Sequence, residues 1–132
     1  MSDPTPAPDC SSPDVAALRP FVPATNFETS LSFYGDLGFT VHRIADGLAS
    51  IELGPFAFLL QHFYAENFAG NFMMQLLSHD LASWWKRIDG LDLAAKYGVR
   101  APRAPAVQPW GLTVAYVVDP SGVLWHFVQK PG

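Results

Sequence analysis

Few side chains in this sequence could do chemistry, and they are thinly spread: four histidines (His42, His62, His79, His126) and one cysteine, Cys10. There is no glycine-rich phosphate loop, no Gly-x-Ser-x-Gly elbow and no His-Glu-x-x-His pair, and no Ser/His set forms a triad pattern. Cys10 lies in a proline-rich head, so a covalent mechanism has no visible nucleophile. As a lone cysteine it can build neither an intramolecular disulfide nor a thiolate metal cluster.

The remaining candidates suit binding better than bond-breaking. Trp110, in Gln108-Pro-Trp-Gly111, offers a broad indole face that can stack on a planar heteroaromatic group or attract a cation; its other reading is packing of a hairpin. His126 could donate to a ligand and titrate near neutral pH, or be an imidazole satisfied by its own neighbours, and both readings stay open. Strand alternation puts Trp125 on the opposite face from His126. Within 56–63, Phe58, Leu60 and His62 share one face and Ala57, Leu59, Gln61 and Phe63 the other, with no residue deciding which face meets a ligand. Phe68, Phe72, Met73 and Met74 could form a soft, adaptable wall or plain core. Trp84 and Trp85 read as core, and His79 as an exposed neighbour of a helix cap.

These side chains need elements to hold them. Leu18, Phe21 and Val22 suggest a strand with two prolines, hence an edge or a bulge. Asn26 caps a helix whose Phe27, Leu31 and Tyr34 recur at helical spacing, with Gly35 and Gly38 closing it. Three strands follow, at 39–44, 48–53 and 56–63, separated by Ala-Asp-Gly and Gly-Pro turns. Residues 64–71 read as a loop and 72–77 as a strand. Asp80 then caps a helix with Leu81, Trp84, Trp85 and Ile88 on one face. The stretch 97–108 is proline-rich and weakly periodic, while 112–118 and 123–129 flank the hairpin turn Asp119-Pro-Ser-Gly122.

Composition narrows the function classes. With 132 residues, 49% hydrophobic, and a formal net charge of −4, the chain reads as one globular domain large enough to need no metal or disulfide staple. Eight scattered basic residues among twelve acidic ones argue against a nucleic-acid partner. No window reaches the ~18 apolar residues that span a bilayer, and the head lacks the features of a signal peptide, so a cytoplasmic protein with no membrane role is expected. Residues 1–15, with Pro4, Pro6, Pro8 and Pro13, are expected to form a flexible arm before a single domain at 16–132.

The element order repeats. At an offset of 54, Asn26 meets Asp80, Phe27 meets Leu81, Leu31 meets Trp85, Tyr34 meets Ile88 and Leu37 meets Leu91, so cap and buried face coincide. The expected fold is α+β: two βαβββ units, at about 16–70 and 71–130.

Two such units, with Phe33-Tyr-Gly-Asp-Leu-Gly-Phe39 closing the first helix and Asp119-Pro-Ser-Gly-Val-Leu-Trp-His-Phe-Val128 at the last hairpin, resemble the vicinal oxygen chelate superfamily of glyoxalases, extradiol dioxygenases and bleomycin-binding resistance proteins. Gln108-Pro-Trp-Gly111 is most similar to the bleomycin-binding branch. The resemblance implies that each unit forms a curled mixed sheet with its helix on the outside, and that the two cups face a shared cavity, within a chain or across a homodimer. It also implies that, in the metal-dependent enzymes, the first and last strands of each unit supply the ligands. Those places fall here at Arg19, Met73, His126 and either Gln61 or His62. Arginine stays protonated and a thioether is too soft for the metals concerned, so no metal or other cofactor is expected. Gln75 and Leu77 stand where the bleomycin-binding branch carries drug-gripping aromatics. The resulting expectation is a metal-independent protein that sequesters a bleomycin-type antibiotic or another planar aromatic or cationic compound. Trp110, His126, Gln61, His62, Arg19, Met73 and Phe63 would contact the ligand. The enzyme alternative is a metal-dependent lyase or dioxygenase using His126, His62 and one further residue.

Overall fold

The computed structural model describes residues 13–63 and 70–132. Most of the expected arm with Cys10, and Phe68 with most of the expected 64–71 loop, lie outside the described residues. The elements run β1 (Phe21–Ala24), α1 (Phe27–Leu37), β2 (Thr40–Ala45), β3 (Leu48–Leu53), β4 (Phe56–His62), β5 (Met73–Ser78), α2 (Leu81–Leu91), α3 (Leu93–Tyr97), β6 (Arg103–Val107), β7 (Thr113–Val118) and β8 (Leu124–Gln129). They form two four-stranded mixed sheets, ordered β1-β4-β3-β2 and β5-β8-β7-β6, in which only the first pair of each is parallel. This is the expected pair of βαβββ units.

The helices start as their caps dictate. Asn26 Oδ1 accepts from the Thr29 N–H at 3.1 Å, and Asp80 Oδ1 accepts from the Ser83 N–H at 3.1 Å, each satisfying one of the donors a helix N-terminus leaves unpaired. α1 and α2 therefore cover 27–37 and 81–91, 54 residues apart as the repeat requires. Gly38 ends α1 with φ 109°, a left-handed conformation open to glycine at little cost, and a side chain there would also strike Arg87.

Two elements escape a periodicity reading. β6 forms through the proline-rich stretch because it is an edge strand, where Pro105 removes no required donor and a register shift between Arg103 and Ala106 absorbs the irregularity. α3 is a five-residue helix ended by Gly98 in the left-handed region, too short to show a periodic stripe.

One core joins the units. Val22, Ile51, Phe58 and Leu60 from the first sheet and Ala115, Val117, Trp125 and Phe127 from the second are buried together with the inner sides of α1 and α2. Each sheet thus has a helix-bearing face in the core and a helix-free face pointing the other way. On one helix-bearing face Trp84 and Trp85 are half-buried against that core, as their helical spacing predicts.

Candidate functional site

Strand β8 places two kinds of chemistry back to back. On its core face, Trp125 packs against Phe58 at 5.5 Å and Phe39 at 5.7 Å between ring centroids. Its indole N–H donates to Tyr34 Oη at 3.0 Å, and the Tyr34 hydroxyl donates to Asp119 Oδ2 at 2.6 Å. Asp119 Oδ1 accepts from the N–H groups of Ser121 and Val123 at 2.8 and 2.9 Å, which builds the turn foreseen at 119–122. Every polar atom of this buried chain is used, and it ties α1 of the first unit to the last hairpin of the second. Burial and the neighbouring carboxylate push the Tyr34 hydroxyl well above the ordinary tyrosine range. For Asp119, burial outweighs the donors around it, so its carboxyl also titrates above its usual value.

The helix-free face of the second sheet is different. Pairing places Gln75, His126, Tyr116 and Arg103 side by side across β5, β8, β7 and β6. The Tyr116 and His126 rings meet edge to face at 4.8 Å. His126 Nε2 is buried and bonds to nothing among the described residues. Burial lowers the His126 pKa below 6.5, so the imidazole is neutral at neutral pH. In the first sheet the matching row is Phe21, Leu59, Ser50 and His42.

That register corrects one sequence assignment. Gln75 and Phe21 are 54 apart and pair with His126 and Leu59 respectively, so Leu59, rather than Gln61 or His62, stands in the place of His126. The sequence leaves the register of β4 against β1 open at the turn before β4, and the parallel pairing sets it.

The predicted binding residues are dispersed. Gln61 and His62 line a cleft of about 380 Å³ with Phe21 and the 45–48 turn, a cleft containing no residue of the second unit. They point to opposite faces of β4, and the His62 ring lies 6.4 Å from that of Phe27 at the start of α1. Phe63 follows β4 and is about half-exposed. Arg19 precedes β1 and is exposed. Met73 opens β5 one row from His126, 63% exposed, and Trp110 stands 59% exposed in the β6–β7 turn. His126, Met73 and Trp110 belong to the second unit; Gln61, His62, Phe63 and Arg19 belong to the first.

A larger cleft, of about 510 Å³, opens between the units. Phe39, Phe56, Phe58 and Trp125 line it with Leu53 and Met74, and its polar members are Gln75, His79 and Lys130. None of the predicted binding residues reaches it. Gln75 alone joins this cleft to the polar row. Sequence reading missed it because nothing local shows that the start of β4 meets β5 at the edge of the second sheet.

The residues do not fit a divalent metal. Arg19, Met73 and Leu59 hold three of the four places where the resemblance implies ligands, and none of the three suits such a metal. Among the described residues no three His, Cys, Asp or Glu side chains gather at one point.

Comparison with known proteins agrees with this architecture. Residues 16–127 match the family model described as the Glyoxalase/Bleomycin resistance protein/Dioxygenase superfamily. A bleomycin resistance protein from Klebsiella pneumoniae is 29% identical over 116 residues, spanning 84% of this chain and 90% of that protein. The crystal structure of a bleomycin-binding protein complexed with bleomycin matches with a TM-score of 0.76 and 25% identity, over 89% of this chain and 100% of that one. A lactoylglutathione lyase from Agrobacterium tumefaciens shares the fold, with a TM-score of 0.62 and 15% identity over 87% of this chain and 94% of that one. On its sequence match and its paired βαβββ units, the chain belongs to the glyoxalase/bleomycin resistance protein/dioxygenase superfamily.

Proposed function

We propose that this protein binds a bleomycin-type antibiotic, or another planar aromatic compound, and protects by sequestering it unchanged and without a metal. The observation that carries the reading is the likeness to the Klebsiella pneumoniae bleomycin resistance protein across 90% of its length. The chemistry agrees: the described residues present aromatic and apolar surface with isolated polar groups, and no three-donor cluster. Stacking on Trp110 supplies much of the affinity, and His126, Gln61 or His62 supply hydrogen bonds. Arg19 meets an anionic group, and Met73 and Phe63 line the apolar wall.

The site is completed by a second copy. The helix-bearing faces of both sheets share one core, and the cleft at Gln61 and His62 holds nothing from the second unit. A homodimer that lays the first sheet of one copy over the second sheet of its partner brings both sets of residues to one ligand. Phe21, Phe63, Met73, Leu77 and Trp110, all half-exposed or more, supply apolar surface for that contact. No helix among the described residues is long and apolar enough to cross a membrane.

Light scattering on the purified chain is expected to give twice the monomer mass, and bleomycin to raise the melting temperature with rising concentration, as ligand linkage requires. A monomer whose melting temperature ignores bleomycin and other planar aromatics overturns the reading.

A further inference from the structure

Charge is divided unequally along the chain. Residues 1–70 carry two basic and eight acidic side chains, whereas 71–132 carry six basic and four acidic, with no acidic residue from Leu93 to Val118. Within that acid-free stretch lie Lys96, Arg100 and Arg103. Lys96 pairs with Asp36, but neither Arg100 nor Arg103 has an ion-pair or hydrogen-bond partner among the described residues.

Both arginines face the same space. Arg103 stands directly across from Tyr116, whose ring touches His126, so it shares the helix-free face of the second sheet. A cleft of about 210 Å³ is lined by Arg100, Arg103, Gln108 and Tyr116, and a second, of about 470 Å³, again by Arg103, Gln108 and Tyr116. No acidic residue lines either. Gln108 is held there by its own Nε2–H, which donates to the Ala106 carbonyl at 3.2 Å.

We propose that these adjoining clefts are an oxyanion subsite, in which Arg103 and Arg100 take a carboxylate or phosphate-like group of the ligand while Tyr116, backed by the His126 ring, flanks its aromatic part. Two unpaired guanidiniums, each a planar fork of donors suited to such a group, line these clefts with the Tyr116 ring, whose other neighbour is the His126 ring at 4.8 Å. The subsite makes the second sheet the anion-selecting side of the ligand site proposed above, and it rests on that reading for its aromatic partner only.

The probes are inorganic phosphate, 1-naphthyl phosphate and 1-naphthylmethylamine, followed by NMR shifts and calorimetry on the full chain. Inorganic phosphate alone is expected to shift the Arg103 and Arg100 side-chain Nε–H signals. 1-Naphthyl phosphate is expected to bind at least about tenfold more tightly than the amine, the order of a charge-assisted hydrogen bond. That preference is expected to vanish in R100Q/R103Q and to survive in Lys86→Gln, which removes the same type of charge from exposed α2. Equal or tighter binding of the amine, or an unchanged phosphate preference in R100Q/R103Q, overturns the proposal, as does an absence of arginine shifts with phosphate. Phosphate shifts at both arginines in a protein that ignores bleomycin and both naphthyl probes would uphold the anion subsite and sink the sequestration reading. Bleomycin binding with no arginine response to phosphate would do the reverse.

Discussion

The rows Phe21–Leu59–Ser50–His42 and Gln75–His126–Tyr116–Arg103 occupy matching places in the two sheets, on matching strands, yet no place holds the same residue in both. The helix-bearing faces behind them are alike, each a set of small and aromatic apolar residues sealed into one core. Packing holds the core faces to volume and shape, so the repeat persists there. The helix-free faces escape that constraint and have diverged: Leu59 and Ser50 stand in the first sheet where His126 and Tyr116 stand in the second. What binds a ligand is therefore to be sought where the repeat is broken.

Substitutions on the two faces of β8 give the largest contrast. Trp125→Ala is expected to destabilise the fold by about 3–5 kcal/mol, the usual cost of emptying a core aromatic site, in urea or thermal unfolding. His126→Ala, one residue away on the other face, is expected to leave unfolding nearly unchanged near neutral pH, since its Nε2 bonds to nothing. Equal losses would mean that both faces are core.

Tyr34→Phe probes the junction between the units. It leaves Asp119 Oδ2 and the Trp125 indole N–H without their partner in the core, so a loss of about 1–3 kcal/mol is expected in the same measurement. A loss near zero would show that the junction chain does not join the units energetically.

Trp110→Ala acts on function instead of folding. It is expected to weaken a bound planar ligand by about 1–3 kcal/mol by calorimetry while leaving the melting temperature nearly unchanged. An unchanged dissociation constant removes Trp110 from the site.

The smallest expected effect is a pH dependence. Burial favours neutral His126 in the folded chain, so the unfolded chain takes up the proton first as pH falls through about 6.5. Stability contributed by the neutral imidazole is present above that pH and declines below it, and His126→Gln is expected to flatten the decline. A wild-type profile matching that of His126→Gln would show that the imidazole is fully solvated.

How much of this was legible in the sequence follows from which interactions are local. Caps and buried stripes act within one or two turns, so Asn26, Asp80 and the offset of 54 give both helices and the repeat directly. The turn at Asp119 is likewise local, and its sequence announces it, but the Tyr34 bond that buries it spans 85 residues and leaves no local mark. β6 was hidden because proline masks strand periodicity, and Arg103 was hidden with it. The first-unit counterpart of His126 was placed at Gln61 or His62 because the turn before β4 leaves its register open in the sequence; the parallel pairing of Phe21 with Leu59 fixes it. Gln75 was readable as a departure from the bleomycin-binding branch; that it lies beside His126 required the parallel register of β5 and β8.

Sequestration without chemistry is tested most directly by calorimetry of chelator-treated protein with bleomycin, followed by mass spectrometry of the recovered drug. Saturable binding that needs no added metal, with drug released at its original mass, is the predicted result. Binding that appears only when a divalent metal is restored, or drug recovered with an altered mass, would contradict it.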